Sequence, residues 1–129
     1  STYRELAAAT TLGPNATYQL ANALYEGWLG LHTRDVFASW VDVGDERATL
    51  GEAWADAGER LESRLDGLSR EVARGETEFA DAAELACSGL KHDVDVPSPF
   101  AALATDAYRE RAAPFAVRWA EKTFDALAD

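Results

Sequence analysis

The chain has 129 residues, with 23 acidic and 12 basic side chains, a formal net charge of −11 and 47% hydrophobic residues. This length and composition are typical of one globular domain with its own core, and we expect a single domain over residues 1–129. The acidic excess argues against nonspecific nucleic-acid binding and against docking on an anionic membrane, so we expect neither nucleic acid nor a membrane as partner.

The first two predicted helices lie on either side of a short break. Residues 1–10 predict a short helical arm. Pro14 suits the first turn of the next helix and Asn15 is its predicted cap. The second helix is predicted over 16–41 because apolar residues recur there at helical spacing. Its main apolar stripe consists of Leu20, Leu24, Trp28, Leu31 and Trp40, with Tyr25 and Phe37 at the flanks.

The third helix is predicted as one long element over 46–74, with Gly44-Asp45 as the break and cap before it. Its apolar residues recur at steps of three and four, close to a heptad seam, and its other face is charged. The seam consists of Leu50, Trp54, Ala57, Leu61, Leu65, Leu68 and Val72. Gly75 is the predicted stop.

The last third of the chain predicts two more helices and one loop. The fourth helix is predicted over 76–90 with Thr77 as its cap, and a loop follows over 92–97. Ser98-Pro99 then restarts a helix that reaches the end of the chain. A kink or break is expected near 112–114, because Pro114 removes a helical hydrogen bond. The fold class is therefore all-α: a single bundle of about four main antiparallel helices plus a short N-terminal helical arm.

Charge and cysteine content point to a compartment. Cys87 is the only cysteine, so an intramolecular disulfide is excluded and a reducing cytosol fits. The N-terminal residues lack an apolar core of signal-peptide length, which favours a cytoplasmic protein. Because a large net charge repels itself in dilute buffer, we favour a salt-rich cytoplasm of the kind found in salt-loving archaea. The alternative is an ordinary acidic protein from a GC-rich mesophile.

Metal ligands were sought because helical bundles often hold metals. The Glu-x-x-His pairs of di-iron bundles are missing, since Leu29 and Gly89 stand three residues before the two histidines. Two looser groups remain as candidates for a metal or small ligand: Glu26, His32 and Asp35 on the second helix, and Glu84, Cys87 and His92 near the end of the fourth. The competing interpretations are a partly buried histidine satisfied by Asp35, a solvated acidic turn and a buried cysteine.

Catalytic motifs are not apparent, and we assign neither catalytic residues nor a cofactor. The chain has no Gly-x-Ser-x-Gly elbow and no glycine-rich phosphate loop. Aromatic residues are abundant, which fits core packing but also a protein interface, where Trp, Tyr and Arg concentrate. The interface candidates are Trp28, Trp40, Trp119, Arg109 and Arg111.

Three hypotheses about function follow. The first is a non-enzymatic helical interaction or accessory protein of a salt-rich cytoplasm, which self-associates or holds a protein partner. The second is a bundle that binds a metal ion or small ligand through His32 and neighbouring carboxylates. The third is an enzyme whose site is assembled entirely in space, for which the sequence names no reaction.

Overall fold

The computed structural model describes residues 2–104 and 113–128, and within these ranges the chain contains helices and no strand. The predicted all-α bundle is confirmed. The helices are α1 (Thr2–Ala9), α2 (Pro14–Ser39), α3 (Arg47–Leu65), α4 (Leu68–Ala73), α5 (Phe79–His92), a short 3-10 helix (Phe100–Ala104) and α6 (Ala113–Ala128).

The pair α2 and α5 forms the centre of the bundle and makes its most extensive helix contact. Glycines on α2 allow this close approach. A methyl group on Gly27 would lie 3.3 Å from the carbonyl oxygen of Cys87, and one on Gly30 would lie 3.2 Å from the Cα atom of Lys91. Such distances are tighter than ordinary van der Waals contact, so larger residues would push the two helices apart.

Three phenylalanines hold the C-terminal elements against this pair. Phe79 of α5, Phe100 of the 3-10 helix and Phe124 of α6 pack with ring centroids 5.1 to 5.9 Å apart. Phe100 is fully buried. Offset and tilted ring pairs of this kind stabilise a core beyond the area they bury. The cluster therefore fixes where α6 meets α5.

The predicted single helix over 46–74 is wrong, because the structure has two helices there. α3 ends at Leu65 and α4 begins at Leu68, with Gly67 between them at φ 77°. Left-handed backbone of this kind favours glycine and ends a helix. The stripe continues through the break, since Leu65 and Leu68 are both buried. Gly75, at φ 74°, confirms the predicted stop.

One member of that predicted seam lies outside the core. Leu50 is 56% exposed, whereas Gly51 beside it is buried. A methyl group on Gly51 would lie 2.7 Å from the backbone nitrogen of Val41. The first turns of α3 therefore pack on the chain that follows α2 with Gly51 at the contact. Leu50, the next position around the helix, consequently points to the outer side.

The helix caps differ from the predicted ones at two positions. Gly13, not Asn15, precedes α2, and Pro14 occupies its first turn. Thr77 donates its hydroxyl to Glu71 at 3.0 Å and leaves Glu78 to precede α5. Polar side chains near a helix start can also bond other partners. Tertiary contacts or backbone geometry therefore determine which residue precedes each of these helices.

Glu46, not the predicted Asp45, directly precedes α3, but the Asp45 side chain still contacts the first turn. Its carboxylate accepts the backbone N–H of Arg47 at 2.9 Å and three guanidinium hydrogen bonds from the same residue. These bonds favour the ionised form and lower the pKa of Asp45 below its usual range. The start of α3 is thus closed locally by neighbouring residues.

The predicted fifth helix from Ser98 is wrong in its first part, which is a 3-10 helix, whereas its last part is helical as predicted. The chain forms a 3-10 helix after a cis Ser98–Pro99 bond, and α6 begins at Ala113. Pro114 stands in the first turn of α6, where its missing N–H is not needed. Residues 105–112, between these two helices, lie outside the described residues, and so does the start of the predicted kink or break near 112–114.

α5 extends further than predicted, through His92 rather than to residue 90. Lys91 and His92 lie in its last turn, where the Lys91 ammonium interacts favourably with the helix dipole. Asp93, at φ 54°, ends the helix in the left-handed region. This extension brings His92 against α3.

Candidate functional site

Helix α2 presents a second stripe of residues on the side away from the core. Its inner side buries Thr17, Leu20, Ala23, Leu24, Gly27 and Gly30. At 100° per residue, the opposite side consists of Tyr18, Asn22, Tyr25, Leu29, His32 and Val36, all of them exposed. We call these six residues the outward stripe. It spans about 27 Å of helix at 1.5 Å per residue.

The outward stripe is apolar to a degree unusual for a solvent-facing helix side. Tyr18 is 62% exposed, Tyr25 60% and Val36 47%, and Leu29 is exposed as well. Its six side chains carry no formal charge at neutral pH, within a chain whose net charge is −11. The exposed side of α3 shows the ordinary pattern, since it carries Glu52, Asp56, Glu59, Arg60 and Glu62.

Trp28 supports the middle of the outward stripe from one flank. It is half-buried, and its ring lies edge-on to His32 with centroids 4.9 Å apart. Tyr25 contacts the same indole with centroids 6.2 Å apart. These contacts restrict the rings of Tyr25 and His32, although both side chains are exposed.

A groove adjoins the other flank, where α2, α3 and α5 meet. Its volume is about 410 Å³, and Leu29 belongs both to it and to the outward stripe. Phe37 and Trp54 stack along it with an interplanar angle of 12°. The groove is lined by Glu26, Leu29, Gly30, Thr33, Phe37, Trp54, Lys91 and His92.

Several polar groups around the groove are already paired. The Trp54 indole N–H donates to the carbonyl oxygen of Lys91 at 2.7 Å. His92 Nδ1 lies 2.9 Å from the carbonyl oxygen of Trp54, which accepts its hydrogen. Lys91 Nζ lies 3.4 Å from Glu26 Oε2. The groove therefore offers mainly apolar and aromatic surface to a ligand.

Comparison with known proteins places the chain in a family. One family model matches residues 1–127, which is nearly the whole sequence. The chain belongs to DUF7089, a family of unknown function. No curated protein and no solved structure matches this DUF7089 chain. Among its described helices, none is both long enough and apolar enough to cross a membrane.

The structure of this DUF7089 protein brings two of the six predicted ligand residues together, since Glu26 and His92 line one groove. His32 and Asp35 are exposed on α2 outside that groove. Glu84 accepts a hydrogen bond from the side chain of Gln19 at 2.6 Å. Within residues 2–104 and 113–128, no three His, Cys, Asp or Glu side chains group in a way that could hold a metal ion.

Cys87, the remaining predicted ligand, is buried beneath α2. Burial raises the pKa of its thiol to about 12, and the positive charge of Lys91 lowers it only in part. Glu84 adds a smaller upward shift. Because the thiolate is the nucleophile and the metal ligand, this thiol is inert at neutral pH in the folded protein.

The predicted interface residues lie in three places. Trp28 flanks the outward stripe, and Trp40 directly follows α2, where its ring packs edge-on against Phe37. Trp119 is half exposed on α6, one turn after the more exposed Phe115. Arg109 and Arg111 lie outside the described residues.

Sequence reasoning missed most of the outward stripe. Tyr25 was expected as a flank of the buried stripe, and Tyr18, Leu29 and Val36 were assigned no role. The signal was nevertheless present, because the six residues recur at steps of 4, 3, 4, 3 and 4. A single helix of 26 residues thus carries two apolar stripes on opposite sides.

Proposed function

We propose that this DUF7089 protein is a non-enzymatic helical interaction protein of a salt-rich cytoplasm, which self-associates through the outward stripe of α2. The observation that carries the proposal is an exposed, uncharged helix side on a chain of net charge −11. A helix that faces only water is normally polar on its outer side, so exposed apolar positions at heptad spacing favour a helical partner.

A second copy fits this surface better than a charged partner does. Two chains of net charge −11 repel one another, and an uncharged contact surface avoids adding close like-charge pairs. Molar salt reduces the remaining repulsion, because the Debye length falls to about 3 Å at 1 M. We therefore expect association to strengthen with salt.

The test measures oligomeric state by light scattering in dilute buffer and in molar KCl. We expect a dimer in molar KCl for the wild type and a monomer for Tyr25→Asp, since a buried unpaired carboxylate is costly. Ala53→Asp adds the same charge on the exposed side of α3 and is the matched control, which stays dimeric. Circular dichroism verifies that each variant folds. A wild type that is monomeric throughout, or a dimeric Tyr25→Asp variant, overturns the proposal.

Binding of a small aromatic ligand in the groove is the second candidate function. The stack of Phe37 on Trp54 beside Lys91 favours a flat anionic molecule. It ranks second because Lys91 and His92 already have partners within the protein.

Anilinonaphthalene sulfonate is a suitable probe for this groove. We expect its fluorescence to rise with the wild type and with Val36→Ala but not with Phe37→Ala. Equal fluorescence for all three proteins contradicts groove binding.

A further inference from the structure

We propose that two copies of this chain pair through the outward stripes of α2 in antiparallel orientation. The midpoint of the contact lies at the height of Gly27 along the helix, so Asn22 of each copy lies opposite His32 of the other. This inference rests on the proposed self-association and adds the partner's orientation and register. It stems from the order of residue types along the outward stripe.

The outward stripe has the same pattern when read from either end. Tyr18, Asn22 and Tyr25 read apolar, polar, apolar towards the centre. Val36, His32 and Leu29 read apolar, polar, apolar from the other end. Each residue of the first set has a counterpart equally far from Gly27 in the second set. A two-fold contact places residue i against j and j against i, so an antiparallel pair matches type with type at all six positions.

The two polar residues suit one another chemically. The Asn22 amide has both a donor and an acceptor, and a neutral imidazole also has one of each, so the pair forms a hydrogen bond in either histidine tautomer. A parallel pair in register would instead place His32 against His32 and Asn22 against Asn22, so the two polar types would not meet. The buried polar pair also fixes the register, because any shift leaves it opposite an apolar residue.

Side-chain size favours the same orientation. Antiparallel pairing sets Tyr18 against Val36 and Tyr25 against Leu29, so each large ring meets a smaller aliphatic group. Alternating large and small residues across an interface lets the layers interdigitate. Parallel pairing would stack tyrosine on tyrosine in two layers and leave two layers of aliphatic residues alone.

The flanks of the outward stripe agree with the two-fold axis at Gly27. On one flank the axis brings Trp28 of each copy towards its equivalent, which extends the apolar contact. On the other flank it brings together the two copies of Glu26, whose carboxylate already lies 3.4 Å from Lys91 of its own chain. That ion pair and added salt both reduce the repulsion between the two glutamates.

The test is disulfide cross-linking between introduced cysteines. Asn22→Cys and His32→Cys proteins, one of them carrying a size tag, are mixed in molar KCl and oxidised. Antiparallel pairing predicts that the mixed disulfide dimer forms at least tenfold faster than either self-linked dimer. Wild-type protein is the control, because its Cys87 is only 2% exposed and is therefore expected not to cross-link.

The outcomes separate this register from the self-association itself. Asn22→Cys protein that links to itself faster than to the His32→Cys protein shows parallel pairing and overturns the inference. Proteins that stay dimeric by light scattering without cross-linking show a dimer built on another surface, which also overturns it. A monomer in light scattering overturns the proposed function as well.

Discussion

His92 lies against Trp54 through both ring and backbone. Its Nδ1 is 2.9 Å from the carbonyl oxygen of Trp54, and the two ring centroids are 5.7 Å apart. The Trp54 indole in turn donates to the carbonyl oxygen of Lys91 at 2.7 Å. The last carbonyl groups of a helix lack hydrogen-bond donors within the helix. The Trp54 indole of α3 supplies such a donor at the end of α5.

Replacing Trp54 by Phe removes that indole hydrogen bond and leaves the Lys91 carbonyl without it. We expect a loss of about 1 kcal/mol in the free energy of unfolding, the usual net value of one such bond. Urea unfolding followed by circular dichroism measures it. Trp119→Phe, at a half-exposed position, is the matched control and should change stability by less than about 0.5 kcal/mol. Equal losses for both variants would contradict the role given to the bond.

Gly51 should not tolerate a methyl group. In Gly51→Ala the new Cβ would lie 2.7 Å from the backbone of Trp40 and Val41, which cannot move like a flexible side chain. Overpacking of this kind costs about 1–3 kcal/mol, more than the helix propensity that alanine adds. Thermal unfolding measures the effect.

Gly13→Ser is the control for that substitution. Nothing lies within 4 Å of a Cβ built on Gly13, whose backbone is extended and precedes α2. Serine is a preferred residue at a helix start, so stability should hold or rise by a few tenths of a kcal/mol, roughly. If Gly51→Ala were as stable as Gly13→Ser, the close approach of α3 to the end of α2 would be wrong.

Stability should fall in alkaline solution because of Cys87. Burial raises the pKa of its thiol from 9.0 to about 12, so between these values the unfolded chain loses a proton that the folded chain keeps. The folded state is therefore destabilised as pH rises through this window, by up to about 1.4 kcal/mol per pH unit. Below pH 9 the contribution is constant.

The measurement compares urea unfolding of wild type and Cys87→Ala at several pH values above 9. The variant loses packing at every pH, but its stability should fall less steeply with pH, because it lacks the thiol that ionises in the unfolded chain. Parallel curves for the two proteins would show that the thiol ionises equally in both states. The comparison therefore rests on how steeply the free energy of unfolding falls with pH, not on its absolute value.

Added KCl should raise the melting temperature. The chain carries a net charge of −11, and screening weakens the self-repulsion of the compact state. We expect a rise of several degrees from dilute buffer to molar KCl, measured by circular dichroism at a protein concentration where the Tyr25→Asp variant is monomeric. That variant separates screening within one chain from dimer formation. A melting temperature that falls with KCl contradicts the salt-rich compartment.

The sequence predicts the helices of this bundle better than their ends. Apolar spacing located α2 and α5, because packing on one side requires that spacing. It could not reveal the break at Gly67, since Leu65 and Leu68 stay in phase on both sides of it. The spacing of apolar residues indicates which of them share a helix face. It does not show that the backbone turns left-handed at Gly67.

The outward stripe was hidden for a related reason. Leu20 and Leu24 defined one stripe, and Tyr25 was placed at its flank, yet α2 carries a second stripe that includes Tyr25 and Leu29. Periodicity does not say which of two stripes faces the core. Here the glycines decide, because Gly27 allows α5 to approach on one side only.

The groove could be foreseen only in part. His92 meets Trp54 across 38 positions of sequence, and the helix that carries His92 was predicted to end before it. Contacts between helices depend on crossing angles and on close approach at small residues, which no local pattern encodes. The sequence therefore supplied two of the groove residues, Glu26 and His92, without the aromatic stack between them.

The close crossing at Gly27 and Gly30 gives the two sides of α2 different tolerance to substitution. Its inner side is fixed by backbone distances to Cys87 and Lys91, whereas its outer side meets solvent. If the proposed interface on α2 is right, changes to Tyr18 or Val36 should therefore weaken self-association without disturbing the fold. The exposed side of α2 can therefore accept substitutions that its buried side, packed against α5, cannot.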